Sequence, residues 1–437
     1  MPPSIPGMRA WIARQWYALA PASTALAVGF WGIGATGPWL DEMFTIEAVT
    51  DGLGTRLWDA PMLPYYAVMW VWTLGGTVID SGWLRVPSVL AVAAAASIVA
   101  VIARRLGSPR AGLVAGMLIA LSPGVSRYGQ EARPYALALA LVSASTLALV
   151  CLADDARPRW WRAYGITIAL AALLLPVSLA ALPAHAVILA GLAGAGRWRR
   201  WGLALIITVP VVAFAGAVAF VFGVTRAWLA VPSLADLPFG MTMLAGSGAF
   251  GIAVLALGLL SPTGRRWVVG LAASVALIWL TSVTVSNWWL ERAFVPLAGI
   301  ACVAAGLAFS RLAWGWIVAA LALLGVLATP SLAAMREPGS RGVDAQAMAA
   351  VIDAEAREGD LVRSPGALEL LWWFRPDADS TRVWWTVQHY LRDDPRGLQR
   401  VTTAPTVRYW ESGDTVTCPN HREWVLPAGE RLRLCLP

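Results

Sequence analysis

Two stretches carry residue types and spacings that could do chemistry. The first is Gly37-Pro38-Trp39-Leu40-Asp41-Glu42, where adjacent carboxylates follow a long apolar run. The second is Arg127-Tyr128-Gly129-Gln130-Glu131-Ala132-Arg133-Pro134-Tyr135, with Arg292 as a later cation in a similar setting. Acids at a helix end commonly just mark the water boundary and stop a helix sliding inward, and arginines there commonly anchor among lipid headgroups. The sharper reading is group transfer. A carboxylate can take the proton of an attacking hydroxyl, and guanidinium forks can hold a departing phosphate. Phosphate leaves as an anion, so such a transfer needs no separate acid. No paired-Cys or clustered-His metal spacing, Walker loop or G-x-S-x-G elbow is present, and His185, His389 and His421 are scattered.

Composition says where these residues must sit. The chain has 437 residues, 58% of them hydrophobic and 14% charged. A soluble domain carries roughly 25% charged residues. Charge-free runs of about 15 to 20 residues, separated by arginine-rich stubs, indicate a helical membrane protein with many spans. Such runs are too long and continuous for barrel strands. The net charge of +7 rests on arginine, since the sequence contains no lysine, and the arginines form no nucleic-acid stripe.

Orientation follows from charge bias. Arg9 and Arg14 precede a first span at Tyr17–Thr36, which puts the N-terminus in the cytoplasm and Asp41 outside. This run is longer than a signal-peptide core. A loop at Pro38–Leu84 follows. It contains two aromatic, apolar pieces, Met43–Leu53 and Met62–Val78, expected as helices on the outer surface, with Trp58, Tyr65, Tyr66, Trp70, Trp72 and Trp83 giving an interfacial composition. Reading Met62–Val78 as a span would put Arg104, Arg105 and Arg110 outside, and charge bias decides against it. The second span is Val86–Ala103, and the third, Ala111–Val125, delivers Arg127–Tyr135 to the outer face. Pro134 suits the first turn of the next helix.

Inside markers continue at Arg162, Arg197–Arg200, Arg265-Arg266 and Arg311, and outer connections fall at Pro176–Pro183, Gly223–Gly240 and Ser286–Arg292. About eleven spans result, so the tail after Thr329 is outside. The expected architecture is an all-α polytopic module at 1–334 and a small extracytoplasmic α/β domain at 335–437. The tail's first element is a helix at Asp344–Glu358. Cys151 and Cys302 lie in apolar runs as packing residues, whereas Cys418 and Cys435 could pair in an oxidising compartment.

Leu84-Arg85-Val86-Pro87-Ser88, Arg104-Arg105-Leu106-Gly107 and the R-Y-x-Q-E-A-R-P-Y string at 127–135 resemble the family 39 membrane glycosyltransferases and their bacterial relatives. These belong to the GT-C superfamily, with the protein O-mannosyltransferases and aminoarabinose transferases. The resemblance implies an inverting transfer of a sugar from a polyprenyl phosphate, and the arginine-only composition, which suits a GC-rich genome, makes a mannose- or arabinose-like sugar the expectation. The acceptor would be a cell-envelope glycan, glycolipid or protein outside the cytoplasmic membrane. It implies Asp41 as catalytic aspartate with Glu42 beside it. Arg127, Tyr128, Gln130, Glu131, Arg133, Tyr135 and Arg292 would line the substrate site, with His185, Tyr65 and Tyr66 as further candidates. Relatives often carry His-Pro-Pro before Leu-Tyr-Tyr, whereas Ala60-Pro61-Met62-Leu63-Pro64-Tyr65-Tyr66 lacks the histidine. No metal ligand is assigned, and a divalent cation stays open as a cofactor. The rival reading is a flippase that moves a lipid-linked sugar without cleaving it.

Overall fold

The computed structural model describes residues 8–54, 61–154, 157–191, 196–222, 230–243, 248–285, 287–337, 340, 345–357, 360–363, 399–401, 407–412, 418–427 and 431–436. Trp58, Ala60, Ser286, Asp344, the Trp372-Trp373 and Trp384-Trp385 pairs and His389 lie outside them.

The helices in chain order are α1 (Met8–Phe30), α2 (Leu40–Thr50), α3 (Leu63–Trp72), α4 (Ser81–Leu106), α5 (Pro109–Leu121) and α6 (Pro123–Gly129). Next come α7 (Tyr135–Asp154), α8 (Pro158–Leu174), α9 (Leu182–Ala190), α10 (Arg197–Leu205), α11 (Val209–Phe222) and α12 (Leu237–Met243). The last six are α13 (Gly248–Gly258), α14 (Pro262–Thr284), α15 (Glu291–Phe294), α16 (Ala298–Gly306), α17 (Trp314–Ala334) and α18 (Ala345–Glu355). Among the described residues, five helical stretches are long and apolar enough to cross a bilayer: α4, Tyr135–Leu152, α14, Glu291–Phe309 and α17. Val318, Leu323, Val326 and Leu327 stand exposed on α17, as lipid-facing side chains do.

Local chemistry sets the ends that matter. The Asp80 carboxylate accepts the Trp83 N–H at 2.9 Å and starts α4, and Arg104 and Arg105 complement the negative end of its dipole. The third span, expected to continue to Val125, instead stops at Leu121. Ser122 caps a new helix through the Val125 N–H, with Pro123 at its first position, so Arg127 rides on the short helix α6. Pro134 precedes α7, and its carbonyl accepts the Ala138 N–H at 2.9 Å. The expected surface pieces are α2 and α3. At 10 residues α3 is about 15 Å long, too short to span.

Close approach of α1, α4 and α5 builds the core beneath the site. A Cβ on Gly116 of α5 would lie 2.6 Å from Pro21 of α1 and 2.9 Å from the Ala96 carbonyl of α4. Only glycine allows that approach, the usual device of helix pairs in lipid.

After α17 the chain makes a five-stranded sheet in the order β2-β1-β3-β5-β4, from β1 (Leu361–Arg363), β2 (Gln399–Val401), β3 (Tyr409–Ser412), β4 (His421–Val425) and β5 (Arg431–Cys435). β1 runs parallel to β2 and β3, and β5 antiparallel to β3 and β4. Met348, Ala349 and Ile352 of α18 form its core with Trp410, Leu432 and Leu434. Cys418 and Cys435 form a disulfide, and Cys151 and Cys302 are buried free thiols.

Candidate active site

The site is built where the α1–α2 loop, α2, α3, the start of α4, the turn after α6 and the start of α15 meet. Asp41 and Glu42 are neighbours in the first turn of α2, so about 100° of helix rotation separates them and they serve different partners.

Glu42 is 1% exposed and takes the fork of Arg85, also 1% exposed. Nε donates to Oε1 at 2.8 Å and Nη2 to Oε2 at 2.6 Å. Its Oε1 also accepts the Ala132 N–H at 2.8 Å. Arg85 spends its other protons on the loop that leads to Asp41. Nη1 donates to the Ile33 and Thr36 carbonyls, both at 2.8 Å, and Nη2 to the Gly37 carbonyl at 3.0 Å. Burying this pair is tolerable because nearly every proton and lone pair is used.

Asp41 faces the other way. Its Oδ2 accepts from Nη1 of Arg292 at 2.8 Å, with side chains 12% and 24% exposed respectively. The Arg292 guanidinium also lies 6.0 Å over the ring of Trp39. Arg133, buried, donates from Nη1 to the Asp41 carbonyl at 3.2 Å and to the Tyr66 hydroxyl at 3.1 Å. Tyr65 is fully buried beside Tyr66, and its hydroxyl has no hydrogen-bond partner among the described residues. Burial pushes that hydroxyl well above its usual pKa against the pull of Arg133, so it stays protonated and can only be a neutral donor or acceptor.

The turn from Gln130 to Pro134 is pinned on three sides. Gln130 donates to the Gly29 carbonyl at 2.7 Å and the Trp31 carbonyl at 2.9 Å, at the end of α1. Thr45 of α2 donates to the Ala132 carbonyl at 2.9 Å, and Ser88 of α4 to the Glu131 carbonyl at 2.6 Å. Glu131 is fully buried, 3.9 Å from Nε of Arg127, whose side chain is 39% exposed. The Tyr128 hydroxyl donates to Glu291 at 3.4 Å, and the Tyr128 and Tyr135 rings meet edge to face at 5.3 Å.

The expected residues therefore divide. Asp41, Arg133, Arg292, Tyr66 and Tyr65 converge, with Tyr135 flanking. Arg127, Tyr128 and Glu131 form an adjoining cluster. Glu42 and Gln130 belong to the same neighbourhood, but their polar groups hold main chain. His185 is elsewhere. It is fully buried at the start of α9, with Nε2 2.9 Å from Thr146 and Nδ1 3.1 Å from Tyr164. Thr146 lies eleven residues beyond Tyr135, about 16 Å down α7. Sequence reasoning missed Glu291, Trp39 and Arg336. Glu291 adjoins Arg292 in sequence, and Arg336 is the first arginine after the last span, so adjacency and position were the available signals.

Residues 59–222 match the family model described as dolichyl-phosphate-mannose-protein mannosyltransferase. In structure the chain is similar to ArnT from Cupriavidus metallidurans in the apo state, with a TM-score of 0.60 at 14% identity, covering 97% of this chain and 98% of that one. It is similar also to the same protein bound to undecaprenyl phosphate, with a TM-score of 0.57 at 14% identity and 98% coverage of both chains. No curated protein sequence matches it. The fold is thus ArnT-like, and the 84–88, 104–107 and 127–135 motifs lie inside the stretch that matches the family model.

Proposed function

We propose that the chain transfers a sugar from a polyprenyl-phosphate donor to a hydroxyl on an extracytoplasmic acceptor, with Asp41 as general base. The observation that carries this reading is the Asp41–Arg292 pair. It is a partly exposed acid beside a guanidinium with protons to spare, and it stands next to Arg133 at the end of a helix. The family model's description names a mannose phosphate lipid, and one of the similar structures holds undecaprenyl phosphate. Both favour a lipid-phosphate donor.

Arg292 pairs with Asp41 until donor phosphate enters. The phosphate, with more charge and more acceptor oxygens, then draws the fork away, and Arg133 is near enough to assist. The acceptor oxygen forms its bond to the anomeric carbon as the bond from that carbon to the phosphate oxygen breaks. The acceptor's proton goes to Asp41, and the electron pair leaves with polyprenyl phosphate. Attack opposite the leaving group inverts the anomeric centre. Tyr65 and Tyr66 border this space. Glu42 and Gln130 are assigned to holding the loop, and His185 to packing.

The catalytic module is assigned to 1–334 and the extracytoplasmic domain to 335–437, in the cytoplasmic membrane with the N-terminus inside. The Cys418–Cys435 disulfide favours an oxidising location for the tail. The sugar is assigned as mannose-like and the acceptor as a cell-envelope glycan, glycolipid or protein. No residue is assigned to a metal.

The test uses purified protein in detergent with radiolabelled polyprenyl-phosphate mannose and polyprenyl-phosphate arabinose, and a cell-envelope extract as acceptor. A flippase breaks no bond, and transfer in detergent needs no second compartment, so label in the acceptor separates transfer from transport. Asp41→Asn is expected to lower turnover by about 10²- to 10⁴-fold with the protein still folded. A folded Asp41→Asn protein with full turnover overturns the proposal.

A further inference from the structure

We infer that Arg336, just beyond α17, is a positioning residue for Asp41, through its capping of the end of α1. This inference rests on the function proposed above.

Arg336 is 8% exposed, and it donates to main-chain carbonyls at helix ends and to one hydroxyl. Nε donates to the Trp31 carbonyl at 2.7 Å and Nη2 to the Val28 carbonyl at 2.6 Å, at the last turn of α1. Nη1 donates to the Leu332 carbonyl in the last turn of its own helix, and Nη2 reaches Ser126 of α6 at 3.4 Å. The guanidinium lies 4.4 Å over the Trp31 ring, and its stem fills the space beside Gly32, where φ is +62°. A cation here meets the negative ends of α1 and α17 together, and it satisfies carbonyls that each helix leaves orphaned.

The consequence runs along the chain toward the base. From Val28 to Glu42 the backbone is held by side chains from distant elements. Arg336 and Gln130 share the Trp31 carbonyl, Arg85 takes Ile33, Thr36 and Gly37, and Arg133 takes the Asp41 carbonyl. Along the chain, the Val28 carbonyl that Arg336 holds is the clamped position furthest from Asp41. Arg336 is also the clamp that ties this segment to the polypeptide just before the C-terminal sheet. Without it the end of α1 keeps Gln130 alone, and the loop's first turn is free to shift. The Asp41 carboxylate then moves relative to a bound donor, while the arginines that grip the phosphate stay in place. Positioning losses of this kind appear in kcat and leave donor KM near its starting value.

The experiment measures kcat and donor KM for wild type, Arg336→Gln, Arg336→Lys and Gln130→Leu, with polyprenyl-phosphate mannose as probe. Rates are normalised to monodisperse folded protein, and Asp41→Asn is run alongside. Arg336→Gln is expected to lower kcat at least about tenfold with donor KM within about twofold. Arg336→Lys restores part of that loss, since an ammonium caps fewer carbonyls than a fork. Gln130→Leu lowers kcat in the same way, and it stands in if Arg336→Gln does not fold. An unchanged kcat in the folded variants, or a loss seen only in donor KM, overturns the inference. Full activity in Asp41→Asn would overturn the enzymatic reading instead, so the two failures are distinct.

Discussion

Glu42 and Asp41 are chemically near-identical neighbours, and the geometry predicts opposite phenotypes for their amides. Glu42→Gln keeps the side-chain shape but turns an acceptor toward Arg85 into an NH₂ or a neutral carbonyl, leaving a guanidinium 1% exposed without its counter-charge. Breaking a buried pair by removing one partner costs about 3–5 kcal/mol, or two to three and a half decades in the folded-to-unfolded ratio. Arg85→Met should cost at least as much, because it orphans the Glu42 charge together with the Ile33, Thr36 and Gly37 carbonyls. The double variant leaves no unpaired charge and should be less destabilised than the sum of the two by roughly 1–3 kcal/mol. Asp41→Asn differs: Arg292 is 24% exposed and can turn toward water, so loss of this pair costs less than loss of the Glu42–Arg85 pair. Equilibrium unfolding in mixed detergent–dodecyl sulfate micelles, followed by tryptophan fluorescence, reads all four. If Glu42→Gln matches wild type in stability and yet loses turnover, the division of labour between the two acids is wrong. Strict additivity in the double variant would likewise refute the coupling of Glu42 to Arg85.

Gly76→Ala is expected to destabilise the α2–α3 hairpin and lower activity. The residue has φ +83°, and a new Cβ would stand 2.3 Å from the Val49 carbonyl. The conformational part alone costs about 1–3 kcal/mol, and Gly34→Ala, with nothing within 4 Å, is the near-neutral control by thermal unfolding. Paired Cys418→Ser and Cys435→Ser substitutions should weaken the C-terminal sheet by about 2–4 kcal/mol. Limited proteolysis should then cleave the tail faster and leave the helical part unchanged; equal resistance of the tail would contradict this.

Much of the scaffold was legible because lipid imposes long charge-free runs and because arginine stubs interrupt them. The spans at Val86–Ala103 and Ala111–Val125 correspond to α4 and to α5 with its continuation, and both aromatic pieces of the first loop are helices. The miss at Ser122-Pro123 has a physical source. Apolar residues continue on both sides, so hydropathy sees one run, while an N-cap serine and a first-turn proline start a second helix inside it. Within the site, the sequence shows which charges gather but not which pair. Asp41 and Glu42 read alike until helix rotation sends one toward Arg292 and the other toward Arg85. Gln130 looks like a substrate contact in a motif of polar residues, yet its amide protons reach carbonyls about a hundred positions earlier. Pairings of that sequence separation depend on how α1, α4 and α6 pack, which no local pattern encodes.

The arginines that run against orientation bias share a cause. Arg85, Arg133, Arg292 and Arg336 all belong to the side proposed as outer, where positive charge is usually scarce. Three of them, Arg85, Arg133 and Arg336, donate to backbone carbonyls around the α1–α2 loop, and Arg292 pairs with Asp41 at its end. A loop that must project an acid at a membrane face, through little water, leaves main-chain acceptors that cost free energy unless donors reach them. Lysine offers a compact ammonium, whereas one guanidinium can serve a carboxylate and several carbonyls at once, as Arg85 does. Building the seat of the proposed base from guanidinium forks therefore answers a backbone problem first. The same forks leave Arg292 on the spot where an anionic leaving group would need it.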